Sequence, residues 1–140
     1  MQVSELMTAK PEYIHTNTTL REAARKMRDL DVGFLPVADS REQRLEGVVT
    51  DRDIAIRGVA EGCDPDTTCV SAVETDKVLY CFKDDDVEDA VASMGEQKVY
   101  RLVVLDDRDN KKLCGVISLG DVLRRHERKI AAKTAEGIVA

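Results

Sequence analysis

The sequence predicts an α/β protein of the α+β kind, built from two β-α-β-β-α repeats, and three observations predict it. The first is internal duplication. At an offset of 67 residues Thr8 falls on Thr75, Lys10 on Lys77, Tyr13 on Tyr80, Ala23 on Ala90, Met27 on Met94, Leu35 on Leu102, Val37 on Val104, Asp39 on Asp106 and Arg41 on Arg108. One extra residue in the second hairpin moves the offset to 68, so that Leu45 meets Leu113, Gly47 meets Gly115, Val48 meets Val116 and Asp53 meets Asp121. Matches that stay collinear on core and turn positions mark a repeat. The second observation is an apolar stripe at helical spacing in each copy: Leu20, Ala23, Ala24, Met27 and Leu30, then Val87, Ala90, Val91 and Met94. The third is a pair of short aliphatic runs after each stripe, joined by a polar loop, which reads as a hairpin.

The elements follow in the same order in both copies. A short helical turn opens each (4–7 and 71–73), and an extended strand follows (12–16 and 78–82). Thr19 is the N-cap of the first long helix, with Glu22 three residues on as its capping-box partner. Asp86 caps the equivalent helix, and the acidic run Asp84-Asp85-Asp86 suits the positive end of that helix dipole. The methionines in both stripes are core filler. The hairpin strands are Phe34–Ala38 with Leu45–Thr50, and 101–106 with Leu113–Ser118; their loops are 39–44 and 107–112. A second helix starts immediately after each hairpin, led by Asp53-Ile54-Ala55-Ile56 and by Asp121-Val122-Leu123. Glu61-Gly62-Cys63-Asp64-Pro65-Asp66 breaks the chain between copies. The organisation is therefore repeat one at 1–62, a linker at 63–69, repeat two at 70–126, and a helix end and tail at 127–140.

Composition narrows the function classes. The 140 residues suit one compact domain or two small intimate ones. A half of about 60 residues buries too little surface to be secure alone, so the halves are expected to share a core. The 43% hydrophobic and 34% charged content is that of a soluble globular protein. No run approaches the roughly 18 apolar residues of a membrane span. The start, Met1-Gln2-Val3-Ser4-Glu5-Leu6-Met7, lacks a basic region followed by an apolar one, so a cytoplasmic protein without a signal peptide is expected. The net charge of −6 disfavours nucleic-acid binding, which wants a basic face. One basic cluster, Arg124, Arg125, Arg128, Lys129 and Lys133, reads as a solvated helix end. His126-Glu127-Arg128-Lys129-Ile130 begins like a zinc-protease motif, but Ile130 stands where the second histidine must be. Cys63, Cys69, Cys81 and Cys114 contain no Cys-x-x-Cys pair, so no metal site is expected. Cys81 and Cys114 fall in predicted strands as core residues, and Cys63 and Cys69 flank the linker, where exposure would permit redox chemistry.

The chemistry resides in a duplicated signature. Copy one reads Gly47-Val48-Val49-Thr50-Asp51-Arg52-Asp53, and copy two reads Gly115-Val116-Ile117-Ser118-Leu119-Gly120-Asp121. This is Gly-x-aliphatic-Ser/Thr-x-x-Asp at a strand-to-helix junction. Free N–H groups at such a helix start attract anions, and the Thr50 or Ser118 hydroxyl adds a donor. Asp53 or Asp121, one turn on, offers two acceptor oxygens to a pair of sugar hydroxyls. Gly47 and Gly115 are expected to let a flat base approach the backbone. The alternative is structural: Ser/Thr-x-x-Asp is close to a capping box, which needs no ligand. Arg52, replaced by Gly120 in copy two, has two readings, a bidentate phosphate contact or a surface side chain.

At these residues the chain resembles a tandem pair of CBS domains, a Bateman module. The resemblance spans residues 3 to about 126 and rests on the β-α-β-β-α order, the Pro-Val of Phe34-Leu35-Pro36-Val37, and both signatures. The segment from Gly47 to Ile54, with the linker from Gly58 to Pro65, is similar to small stand-alone bacterial CBS-pair proteins of the hypoxic-response type. The resemblance implies two sheets packed about a pseudo-two-fold axis, with two clefts between the copies for adenosine-containing ligands. These are AMP, ADP, ATP, S-adenosylmethionine or NAD, none of them a required cofactor. It implies that Thr50, Arg52 and Asp53, with Gly33, Phe34 and Pro36, serve one cleft. Ser118 and Asp121, with Tyr100 and Arg101, serve the other. It assigns 8–14 to framing the base in the first cleft and 75–81 in the second. It also implies a homodimer that acts in trans on a protein effector, in regulation or stress response. The sequence carries no Cys–His or Ser–His pair with positional support and no Gly-x-Gly-x-x-Gly, so an enzyme is not expected. The alternative is a ligand-free dimeric module whose signatures are caps and whose surface docks partners.

Overall fold

The computed structural model describes residues 1–75 and 78–139. Its strands are β1 (Thr8–Ala9), β2 (Phe34–Ala38), β3 (Leu45–Thr50), β4 (Tyr80–Phe82), β5 (Arg101–Leu105) and β6 (Leu113–Ser118). Its helices are α1 (Leu20–Leu30), α2 (Asp51–Asp53, continuing as a π-helix over Ile54–Val59), α3 (Val87–Gln97) and α4 (Leu119–Val139). Short 3₁₀ turns at Val3–Glu5 and Val70–Ala72 open the two copies. The α/β class and the repeated element order expected from the sequence are both present. Asp76 and Lys77, which fall in the segment 75–81 that the resemblance assigns to the second base, lie outside the described residues, as does Ala140.

The chain forms two compact units, and neither is one sequence copy. One unit, here the first, comprises Glu12–Leu79 and Asp109–Leu113; the second comprises Met1–Pro11, Tyr80–Arg108 and Cys114–Ala140. In the second unit a four-stranded sheet runs β1-β6-β5-β4. There β1 lies antiparallel to β6, with Thr8 opposite Val116 and Ala9 opposite Gly115. On the other side β4 runs parallel to β5. In the first unit β2 and β3 form the expected hairpin, with Phe34 opposite Thr50. Isolated bridges extend it on both sides, Val48 to Thr75 and Ile14 to Val37. The order Thr75-β3-β2-Ile14 thus repeats the order of the other sheet.

The copies exchange their opening segments. Val3 belongs to copy one, but its N–H donates to the Asp85 carbonyl and that of Ser4 donates to Lys83. The Val87 N–H, in turn, donates to the Met1 carbonyl. Val70 belongs to copy two, yet its N–H donates to Thr18 and that of Ser71 to Thr16. The cores follow the same rule. Val3 is fully buried with Cys81, Ala90, Met94, Leu102, Val104 and Ile117. Val70 and Val73 are buried with Ile14, Leu20, Ala23, Met27, Leu35, Val37 and Val49. Among the described residues there are two buried clusters, and each joins apolar residues of both copies, so the halves share their cores as their size led us to expect.

Other details differ from expectation for local reasons. The predicted strand at 12–16 does not form as a run; only Ile14 makes a bridge. Lys10 adopts a left-handed backbone (φ 50°) just before Pro11, which has no N–H to donate, and so the chain turns off the ladder after Ala9. Thr19 accepts from the Glu22 N–H as its cap, whereas Asp86 occupies the cap position without a side-chain bond to the helix. Asp85 instead accepts from the Phe82 N–H. The linker is not loose: Arg21 forms a forked ion pair with Asp66, and the Arg21 N–H donates to Pro65. The Arg21 guanidinium holds the Asp66 carboxyl below the ordinary aspartate range. Cys81 is buried as expected, and desolvation pushes its thiol up to about 12. Cys63 and Cys69 are half-buried rather than exposed. The last helix, whose end was expected within 127–140, runs to Val139.

Candidate functional site

Each unit carries one signature. In the first unit β3 ends at Thr50 and α2 begins at Asp51. The Asp51 N–H donates to the Gly33 carbonyl (2.9 Å), which ties the start of β2 to the start of the helix. In the second unit the Leu119 N–H donates to the Tyr100 carbonyl (2.8 Å) in the same way. Gly33 and Phe34 therefore stand beside Thr50, and Tyr100 and Arg101 stand beside Ser118. Tyr100 is 76% exposed. Pro36 is different: it is buried inside β2, and its carbonyl accepts from the Ile14 N–H.

The two signatures are reciprocal capping boxes. Thr50 Oγ1 accepts from the Asp53 N–H (3.0 Å), and Asp53 Oδ2 accepts from the Thr50 N–H (3.0 Å). Ser118 Oγ accepts from the Asp121 N–H (3.1 Å), and Asp121 Oδ2 accepts from the Ser118 N–H (2.9 Å). The structural reading of the motif is thus correct as far as it goes. It does not exhaust the groups. Each hydroxyl has accepted and keeps its own proton to donate, and each carboxylate has a second oxygen beyond the one used in the cap.

The second oxygen is where the copies part. Asp53 Oδ1 has no bonded partner among the described residues, and Arg52 extends from the exposed side of α2. Asp121 Oδ1 accepts from Arg124 Nη2. The sequence placed Arg124 only in a solvated basic cluster. The missed signal was spacing: Asp121 and Arg124 are three residues apart, which makes them neighbours on one helix face.

The expected role of the signature glycines is corrected. A Cβ on Gly47 would lie 2.9 Å from the Thr75 carbonyl oxygen and 3.2 Å from Glu74 Oε2. One on Gly115 would lie 2.5 Å from Met7 Sδ and 3.0 Å from the Thr8 carbonyl oxygen. The space over each glycine is filled by the exchanged opening segment of the other copy, not left open for a base. Of the 8–14 segment, Thr8 and Ala9 pair with the second signature strand, while Ile14 bridges to β2. Gly47→Ala should therefore lower stability by about 1–3 kcal/mol, because the Thr75 carbonyl is backbone and cannot swing aside. A thermal denaturation series comparing it with Gly95→Ala, whose added Cβ meets nothing within 4 Å, checks this.

One cavity of about 390 Å³ lies in the second unit, lined by Val91, Met94, Gly95, Lys98, Val99, Tyr100 and Leu119. It adjoins the signature through Leu119 but contains neither Ser118 nor Asp121, so it is an apolar neighbour of the polar site. Among the described residues no three His, Cys, Asp or Glu side chains gather where they would hold a metal ion.

The CBS-domain profile matches residues 3–58 and 70–128, one match on each copy. The chain belongs to the CBS-domain family. Hypoxic response protein 1 of Mycobacterium tuberculosis is 32% identical over 120 residues, 86% of this chain and 81% of that protein. The crystal structure of Hypoxic Response Protein I, with two coordinated zinc ions, superposes with a TM-score of 0.78 at 29% identity, over 89% of this chain and 98% of that one. The crystal structure of CBSX2 in complex with AMP superposes with a TM-score of 0.77 at 26% identity, over 91% of this chain and 96% of that one. Membership in the family accounts for the duplication, the β-α-β-β-α order and both signatures. No described helix of this CBS pair is long and apolar enough to cross a membrane.

Proposed function

We propose that this CBS pair is a regulatory protein, not an enzyme, that binds an adenine nucleotide or another adenosyl ligand at its signatures and signals in trans to a protein partner. One observation carries the reading. Both capping boxes leave a hydroxyl proton, and Asp53 leaves a whole carboxylate oxygen, which a phosphate and a ribose could use. A structural cap requires neither. The AMP complex of the neighbour CBSX2 supports the ligand class. AMP, ADP and ATP are the first candidates, with S-adenosylmethionine and NAD behind them. Thr50, Arg52, Asp53, Gly33 and Phe34 would form one site, and Ser118, Asp121, Tyr100 and Arg101 the other. Pro36, being buried, would act only through the strand it shapes.

Thermal shift with each of these ligands, with and without Mg²⁺, tests the proposal. A ligand that binds only the folded state stabilises it by about 2.7 kcal/mol at a hundredfold excess over its dissociation constant. A rise in melting temperature that disappears in Asp53→Ala or Asp121→Ala supports the reading. No rise for any ligand up to millimolar concentration overturns it.

A second reading, a ligand-free module that docks partners, is favoured by exposed apolar side chains: Ile56 is 52% exposed, Val59 67% and Leu123 52%. We propose that these surfaces support a homodimer under either reading. Ile56→Glu with Val59→Glu should shift the protein from dimer to monomer in light scattering at micromolar concentration without loss of secondary structure. A wild-type chain that is already monomeric there would remove the dimer.

A further inference from the structure

The two exchanged opening segments are held differently, and an equivalent pair of arginines makes the difference. Arg57 follows Asp53 by four residues, and Arg125 follows Asp121 by four. In the first unit Arg57 Nη1 donates to the Val73 carbonyl (3.2 Å) and to the Glu74 carbonyl (3.4 Å). These carbonyls lie just before Thr75, which pairs with Val48 of the signature strand. The guanidinium thus clamps the segment 70–75 to the helix that follows the first signature. In the second unit the equivalent carbonyls are those of Leu6 and Met7. Arg125 donates to neither, and its Nε is buried with no hydrogen-bond partner among the described residues.

The helices and the packing differ to match. α2 continues as a π-helix over Ile54–Val59, whereas α4 is α-helical from Leu119 to Val139. The i→i+5 turn is wider, so Arg57 leaves its helix in a different direction from Arg125. Val73 is 1% exposed and belongs to its core, while its equivalent Leu6 is only partly buried against the other core. The turns themselves are alike: the Glu74 N–H donates to the Val70 carbonyl (2.8 Å), and the Met7 N–H donates to the Val3 carbonyl (2.9 Å). The two arginines therefore act with opposite sign on closed segments of the same design. Arg57 favours closure through two charge-assisted bonds. Arg125 opposes it, because a buried donor without a partner is relieved when the segment over it opens.

We propose that the opening segment 1–9 is a strap that lifts from β6 beside the second signature, while Arg57 keeps the equivalent segment 70–75 shut beside the first. The strap is short where it is paired: only Thr8 and Ala9 lie in β1, and the left-handed turn at Lys10 follows at once. Lifting uncovers Gly115, over which Met7 Sδ now sits, and the edge of β6, the strand that ends in Ser118. An order–disorder step is thereby attached to one signature and withheld from the other.

Residue-resolved amide hydrogen exchange on the full chain tests this without any ligand, so its outcome is independent of the adenosyl reading. In the wild-type chain the Met7 and Lys10 amides should exchange about tenfold to a hundredfold faster than those of Glu74 and Thr75. The same substitution at the two arginines should then move the two segments in opposite directions. Arg57→Met should speed Glu74 and Thr75 by about tenfold to a hundredfold. Arg125→Met keeps an apolar stem and removes the unpaired donor, so it should slow Met7 and Lys10 by about fivefold or more. Amides of β2, β3 and β5 report each unit as a whole and should stay within about twofold in both variants. Equal protection of the two segments in the wild-type chain overturns the proposal. So does faster exchange at Met7 and Lys10 in Arg125→Met, which would show that Arg125 holds the strap down. Uniform loss of protection across the first unit in Arg57→Met would make Arg57 a support of the whole unit and not a clamp, and would overturn it as well.

Discussion

Val3→Asp is expected to unfold the unit that contains the second signature, not the one that contains most of its own copy. Val3 is fully buried among Cys81, Ala90, Met94, Leu102, Val104 and Ile117. An aspartate there has no partner in that apolar cluster, and a buried carboxyl without a hydrogen-bond partner costs several kcal/mol even when it protonates to avoid the charge. Domains of this size hold only about 5–15 kcal/mol in total. The loss is therefore comparable with the stability of the unit. The readout is amide hydrogen exchange. Protection should collapse in α3, β5 and β6 and persist in α1 and the β2–β3 hairpin. Val70→Asp should do the reverse, because Val70 is buried with Leu20, Met27, Leu35 and Val49. If each change instead melted its own sequence copy, the exchange of opening segments would be wrong. Cutting the chain at the 63–69 linker cannot yield two folded halves for the same reason, since each would lack the turn that closes its core.

That exchange was the part of the fold hidden from the sequence. The stripes Leu20-Ala23-Met27 and Val87-Ala90-Met94 announce two helices with buried faces, and they are there. The polar loops and aliphatic runs announce two hairpins. The junctions after Thr50 and Ser118 announce helix starts. All of this is local, written in periodicities of about two and 3.6 residues that any reader of the chain can follow. Which core Val3 or Val70 enters is not local. Each is one apolar residue in a three-residue turn, with no periodicity of its own, and it packs against residues some eighty positions or fifty positions away. The turn at Lys10-Pro11 was legible as a proline but not as the point where the chain leaves one unit for the other.

The site shows the same division. Thr50, Asp53, Ser118 and Asp121 were identified by type and spacing, and their reciprocal hydrogen bonds are those the spacing requires. The signature glycines were identified, but their purpose was not: their space belongs to Glu74-Thr75 and Met7-Thr8 of the opposite copies. Arg124 was seen as one of five cations on a helix. Its contact with Asp121 follows from their i,i+3 spacing on one helix, which a count of charges passes over.

Asp53→Ala and Asp121→Ala should each remove one ligand site and lower affinity there by one to two orders of magnitude. On the proposed adenosyl reading, the interaction lost is a charge-assisted hydrogen bond from a sugar hydroxyl, worth about 1.5–3 kcal/mol. Each substitution also opens its capping box, so a stability loss of about 0.5–2 kcal/mol accompanies it. The two effects separate in practice: denaturation reports the cap, and titration with AMP well below the melting temperature reports the ligand. The consequences for stability should also be unequal. Asp53 Oδ1 has no other described partner, so Asp53→Ala loses its capping box alone. Asp121→Ala also breaks the ion pair of Asp121 with Arg124, so its stability loss should exceed that of Asp53→Ala by about 0.2–1 kcal/mol in a denaturation series. Unchanged affinity in both variants would leave the signatures as caps alone, and the exposed apolar surfaces of Ile56, Val59 and Leu123 would then be the place to look for what this CBS pair recognises.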